Sequence, residues 1–387
     1  MNSKRIVFIF MGRIFAAMKN RLLALTLFLL TLSISSGALP PVLDNPWAHP
    51  PRIIRTCCMF GSKVGVVVVP FVKLSDVTSI ERIGDHHFLG HVSESNGIVY
   101  THRGGFIDMG HMRDQADWTA YLYALMQREK AVGCIKLELG SEGGQKSLSI
   151  SLLPYLTDED LILLAGRIAY DLSIWHEIAT WFGVSSVPLV SEQFSSFSVE
   201  DGYSNLLGVH LGMEAIRSNL PYEKAMTELI SSKLKHFMVV GTYQETLDAM
   251  EGVRDIWWTR NAHMPSNKVQ IARQTTTYDS IFPRLIPADE LLFKHQEPLI
   301  IPSVTSRGDS LSNMYEFTVK LNYKFPVKKI FPDQEVSFVT QHHFMTMVSF
   351  IEDQLKNSVV QDYKSPLVSF RKSRSMPAEI PGGTNKL

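Results

Sequence analysis

The chain has 387 residues, 45% of them apolar and 20% charged, with 38 basic residues balanced by 38 acidic ones. Zero formal net charge and the lack of any Lys/Arg run exclude a nucleic-acid surface built on charge. The length allows a large core, read as one main domain with a smaller appendage.

The first expected element is an export signal over residues 1–38. Lys19 and Arg21 precede an apolar run from Leu22 to Leu32, and Ser36-Gly37-Ala38 supplies small residues for a cleavage site. The run is short for a bilayer span, so the chain meets the membrane only through this segment and the mature protein begins near Leu39. An uncleaved anchor is the alternative. Export bears on the cysteines. Cys57 and Cys58 are adjacent and Cys134 stands alone, which allows either one disulfide, Cys134 with one of the pair, or three buried reduced thiols.

Pro40 to Pro51 reads as an extended lead-in and Val64 to Val69 as a buried strand. His86, His87 and His91 fall in a loop and are expected to be solvated. A strand from Ile98 then runs through Gly104-Gly105 into a helix with Asp108 as N-cap. That helix carries His111, Asp114 and Asp117 at intervals of three, which places them on one side. Asp114 there could orient His111 by accepting its second ring N–H, as the outer partners of metal-bound histidines do. Cys134–Leu139 and Ser147–Leu153 predict a hairpin across Gly140–Gly144.

Thr157 with Asp160 three residues on resembles a capping box that opens the central helix. The helix is apolar from Leu161 and ends in Trp175-His176-Glu177-Ile178-Ala179-Thr180-Trp181-Phe182-Gly183. A His and a Glu side by side in a buried helix are costly unless something compensates them. Arg167 and Asp171 are spaced to pair on its flank. Ser198 is expected to cap a third helix, with Glu200 and Asp201 in its first turn. Residues 221–251 read as helical. Tyr315 to Phe325 alternates as an edge or meander strand, and Val336 to Leu355 reads as a last helix carrying His342 and His343.

Two resemblances follow from these residues. His176-Glu177 is similar to the start of the His-Glu-x-x-His helix of thermolysin-like zinc proteases, with Thr180 where the second His would stand and Glu200 at the spacing of their third ligand. That resemblance implies zinc held by His176 and Glu200 with Glu177 as general base; His111 is the candidate to replace the missing His, and Asp114, Asp117, Thr180 and Asp201 are expected around the site. The resemblance also implies peptide or cell-wall amide bonds as substrate. The segments Pro51–Cys58, Arg103–His111, His176-Glu177 and Ser198–Asp201 together resemble a bacterial family of exported proteins of unknown function (domain of unknown function 4056), which implies bacterial origin and export to the periplasm or envelope and says nothing of activity.

The expected architecture is α+β: a helical core with flanking β hairpins in residues 39–262, a small mixed C-terminal region over 263–360, and a disordered tail over 361–387. The expected function is an envelope metal-dependent hydrolase. The competing class is a non-catalytic envelope protein in which His176, Glu177, Asp114 and Glu200 form a buried polar network that fixes helix packing. A serine hydrolase ranks last, because the chain has no Gly-x-Ser-x-Gly elbow.

Overall fold

The computed structural model describes residues 51, 55, 64–65, 73–74, 77–185, 192–259, 269–275, 279–293, 296 and 298–364. The expected signal segment, Cys57, Cys58, most of the Val64–Val69 strand and the tail beyond residue 364 lie outside them.

The fold is α+β, as expected. Strands β1 (Ile98–Thr101) and β2 (Gly105–Asp108) form a tight antiparallel hairpin that is buried throughout. β2 runs directly into helix α1 (Met109–Glu129), because the Asp108 carboxylate accepts from the backbone N–H groups of Gly110 and His111 and so caps it. Strands β3 (Cys134–Ser141) and β4 (Gly144–Ser151) form the expected second hairpin. Helix α2 (Asp158–Trp181) opens on a reciprocal Thr157–Asp160 capping box. It stops at Gly183, which takes the left-handed φ of +79°. Helix α3 (Asp201–Arg217) follows, then α4 (Tyr222–Ser232), a π-helical segment over Lys233–Phe237, and α5 (Tyr243–Gly252).

Helices α1, α2 and α3 form the centre of the molecule. α1 and α3 approach so closely that a Cβ on Gly208 would lie 1.9 Å from the Met112 carbonyl oxygen, and one on Gly212 2.9 Å from Ala116. Gly166 of α2 likewise receives Met213 and Val209 of α3. Small residues at these points let the backbones touch, and the apolar rows on either side, including Met112, Ala116, Ile168 and Leu207, close the core.

Strand β5 (Tyr315–Leu321) pairs antiparallel with β4 along its whole length and with the short strand β6 (Val339–Thr340) on its other side. The sheet order is therefore β6-β5-β4-β3, and it joins the 39–262 and 263–360 regions. The alternation predicts an edge or meander strand for β5, and it is an interior strand of this antiparallel sheet. Its alternation is real, with Phe317 and Val319 buried and Glu316 and Lys320 exposed, but alternation reports the two faces of a sheet and not a strand's rank within it. The last helix, α6 (Phe344–Lys364), begins later than expected. His342 and His343 sit in the 3-10 turn before it, where the His343 ring accepts from the Thr340 N–H. Cys134 is exposed and forms no disulfide, which corrects the buried-thiol expectation for this residue. Among the described residues no helix is long and apolar enough to cross a membrane.

Candidate functional site

The N-terminal ends of α1 and α3 and the C-terminal end of α2 meet around a small polar pocket. It is lined by His111, His176, Glu177, Thr180, Ser196 and Asp201, among others, and its volume of about 10 Å³ suits one water-sized occupant. His111 comes from the first turn of α1, and its Nδ1 lies 3.2 Å from Asn205 Oδ1 and 3.8 Å from Asp201 Oδ1. His176 comes from α2, and its ring centre is 6.3 Å from that of His111. The two histidines, far apart in sequence, therefore face one site.

His176 is anchored on its other side. Its Nδ1 donates to Glu142 Oε1 at 2.7 Å, and Glu142 also receives Lys146 Nζ at 2.7 Å. Glu142 lies in the turn of the β3–β4 hairpin, and its carbonyl accepts from Trp175 Nε1 at 3.0 Å. Burial acts to lower the His176 imidazolium, but the hydrogen bond and charge of Glu142, helped by Glu177 and Glu192, hold its pKa up at about 9. Glu142 goes the other way. Burial would raise it, and the bonds from His176 and Lys146 bring it down to about 2.

The remaining acids are crowded. Glu177 Oε2 accepts from the Phe197 N–H at 2.5 Å, and Phe197 holds a left-handed φ of +53°. The turn before it is gripped from the opposite side by Arg273, which donates to the carbonyls of Ser196 and Phe194. Glu200 Oε2 accepts from Ser198 Oγ at 2.5 Å. Glu200 Oε1 and Asp201 Oδ1 are buried without a hydrogen-bond partner among the described residues. Burial first, then the charges of Asp108 and Glu177, push Glu200 up to about 8 against its bond to Ser198. Burial and the charges of Glu177, Glu200 and Asp108 raise Asp201 well above the usual range. Arg273, lowered to about 10 by burial, only partly offsets these acids.

The donor set that fits a cation is Asp108, His111 and Asp201. One ligand atom from each lies within 4.8 Å of the others. Ligands of one tetrahedral zinc ion sit about 3.4 Å apart, so the side chains must draw together by about an ångström to close the set. The orphaned Oδ1 of Asp201 stands out, since unpaired buried acceptors are rare, and either a proton or a cation would satisfy it.

The structure thus redistributes the expected roles. His111 and His176 do come together. Asp201, not Glu200, presents its oxygen to His111, because α3 starts at Asp201 and Ser198 spends its hydroxyl on Glu200 instead of capping the helix. Thr180 donates back to the carbonyls of His176 and Glu177 and is committed to its own helix. Asp108 is a cap and also a member of this donor set, and Glu142 and Arg273 join the site with no local sequence pattern that marks them.

Asp114 and Asp117 belong to a different network. Arg55 donates to both carboxylate oxygens of Glu94 and to Asp114 and Asp117 at 2.6–3.0 Å, all of them buried. Asp117 also bonds His86 at 2.9 Å and Tyr222 at 3.0 Å. Asp114 therefore does not orient His111, and His86 is a fully buried partner instead of a solvated loop residue. α1 is buried on several sides, so a spacing of three along it does not select one site.

The profile of a family described as a protein of unknown function (DUF4056) matches residues 45–287, which is more than half of the chain. No curated protein and no solved structure matches it.

Proposed function

We propose, for a chain that belongs to the DUF4056 family of proteins of unknown function, a metal-dependent hydrolase whose divalent cation is held by Asp108, His111 and Asp201. One observation carries the reading. Ligand atoms of these three residues cluster within 4.8 Å, and Asp201 carries an oxygen, Oδ1, that is buried without a hydrogen bond among the described residues. Two carboxylates and an imidazole make a donor set suited to zinc.

The surrounding residues support chemistry at that point. A divalent cation supplies an acidic bound water and a polarised substrate oxygen. Glu177 lines the same pocket and is placed to take a proton, with one oxygen held by the Phe197 N–H. His176 was expected to be a ligand, but it stands outside the donor set. Its Nδ1–H is tied to Glu142, which fixes the ring and directs the other nitrogen to the pocket, so we assign it to proton donation or to an oxygen that gains charge. The zinc-protease likeness of the α2 terminus points to peptide or cell-wall amide bonds as substrate, and the leader over residues 1–38 to work outside the cytoplasm.

The test is metal content by mass spectrometry on protein purified without chelator. About one divalent ion per chain is expected for the wild type, and loss of the ion in His111→Ala and Asp201→Asn. His176→Asn should keep the ion while abolishing turnover in an amidase and peptidase screen. Wild-type protein that takes up no divalent ion at millimolar concentration would end this reading. In that case the bonds of Glu177 to Phe197 and of Glu200 to Ser198 favour a purely structural role for the acids.

A further inference from the structure

A second cavity, of about 160 Å³, opens on another side of α1. Arg113 forms part of its wall. It lies two positions beyond His111, so at 100° per residue its side chain leaves the helix about 200° away from that of His111. The cavity is therefore separate from the candidate metal site.

The opposite wall is one helical face. Thr227, Ile230 and Ser231 of α4 line it at helical spacing, and Lys235 continues the row from the π-helical segment. A π turn shifts the register so that positions five apart align, which sets Lys235 over Ile230. Such turns recur at functional sites. Ile83 supplies the apolar part of the near wall. Asp85 stands at the cavity as well, but it is exposed to solvent.

The donors at the cavity have one paired carboxylate among the described residues, Glu94 on Arg113, while Lys235 also draws on the charge of exposed Glu81 from further away. The Arg113 side chain is fully buried. Its Nη2 donates to the Gly84 carbonyl at 2.8 Å, and its Nη1 faces Glu94 at 3.1 Å and the Asp85 carbonyl at 3.3 Å. The Nε–H has no partner among the described residues. An unsatisfied buried donor of a charged group is costly, and an occupant of the cavity would relieve that cost. Lys235 makes no ion pair within 4.0 Å among the described residues. Ser231 and Thr227 add hydroxyls, although the Thr227 hydroxyl already donates to the Glu223 carbonyl and accepts from the His86 N–H.

We infer that this cavity binds a small oxyanion, a carboxylate or a phosphate group, between Arg113 on α1 and Lys235 on the π-helical segment. Arg113 supplies a buried N–H, Lys235 an exposed ammonium, and Ser231 a hydroxyl on the same lining. Guanidinium and ammonium groups are the usual partners of such anions. The apolar contact with Ile83 and Ile230 suits an anion attached to a short carbon chain.

The experiment is calorimetric titration of the full chain with inorganic phosphate and, separately, with acetate, at constant ionic strength against chloride. Protein stripped of divalent ions is used, so that an anion on a metal is not counted. Saturable 1:1 binding of either anion is expected, and the stronger of the two names its chemistry. Lys235→Ala should weaken binding at least tenfold and Ser231→Ala several-fold, both with wild-type melting temperatures, because Lys235 is exposed and Ser231 only half-buried. Asp201→Asn should leave it unchanged, so failure of the metal reading is distinguishable from failure of this one. Absence of saturable binding up to tens of millimolar, or binding that Lys235→Ala leaves intact, would overturn the inference.

Discussion

Replacing Gly208 with Ala tests whether the site depends on how closely α1 and α3 approach. The added Cβ would sit 1.9 Å from the Met112 carbonyl oxygen, 2.7 Å from its carbonyl carbon and 2.9 Å from its Cα. Ordinary carbon-to-oxygen contacts begin at about 3.3 Å, so the helices must separate by roughly 1.4 Å at this point. Both obstacles are backbone, and no rotamer change relieves them. Overpacking of this kind costs about 1–3 kcal/mol, and the upper end applies. Gain of helix propensity returns up to about 1 kcal/mol, leaving a net loss of about 2 kcal/mol and a melting temperature lower by roughly 5 °C. The same displacement reaches His111, next to Met112, and Asp201, two turns before Gly208, and coordination near 2 Å tolerates no such shift. Cation affinity should fall more than tenfold. Thermal melts and divalent-ion titration measure both effects. Gly252→Ala, whose Cβ would meet nothing within 4 Å, serves as the control. A Gly208→Ala protein that melts and binds like the wild type would refute the close approach and the site geometry built on it.

Two further outcomes are expected. Asp160 closes the capping box of α2 and also accepts from Ser306 N–H at 2.7 Å. Burial would raise its carboxyl, but these bonds hold it down at about 2. Its stabilising contribution is therefore complete above the unfolded value near 3.8 and is lost as pH falls through 2. Asp160→Asn should cost about 2 kcal/mol at neutral pH, and denaturant curves of variant and wild type should converge in strong acid. A gap that persists well below pH 2 would contradict this. Arg55→Leu removes the one cation shared by Glu94, Asp114 and Asp117, leaving buried carboxylates against a single arginine, Arg113. A loss of about 3–5 kcal/mol is expected, seen as aggregation or as a collapsed melting transition, and a soluble variant of wild-type stability would show that the network carries little.

Local chemistry made much of this legible in the sequence. The Asp108 cap, the Thr157–Asp160 box, the hairpin across Gly140–Gly144, the Arg167–Asp171 pair at 3.3 Å and the Gly183 stop each depend on residues a few positions apart. The two histidines were also legible, since a buried polar residue needs company. What failed was partner choice across long separations. Glu142 meets His176 from 34 residues away and Arg55 meets Asp114 from 59 away, and no local pattern announces either. The start of α3 was misplaced for another reason. A Ser before acidic residues reads as a cap, yet the left-handed Phe197 turns the chain so that Ser198 faces Glu200.

The setting of α1 has a consequence for how the molecule opens. The first turn of this helix faces the candidate cation pocket, while Asp114 and Asp117 hold Arg55, Arg113 reaches the second cavity, and Ala116 abuts α3. No partial unfolding can release it without dismantling all of these at once. Its amide protons should therefore exchange with deuterium only through global opening, and last in the chain. Amides on the outer side of edge strand β3, where Lys136 and Glu138 face solvent and the register shifts before Ser141, should be labelled long before.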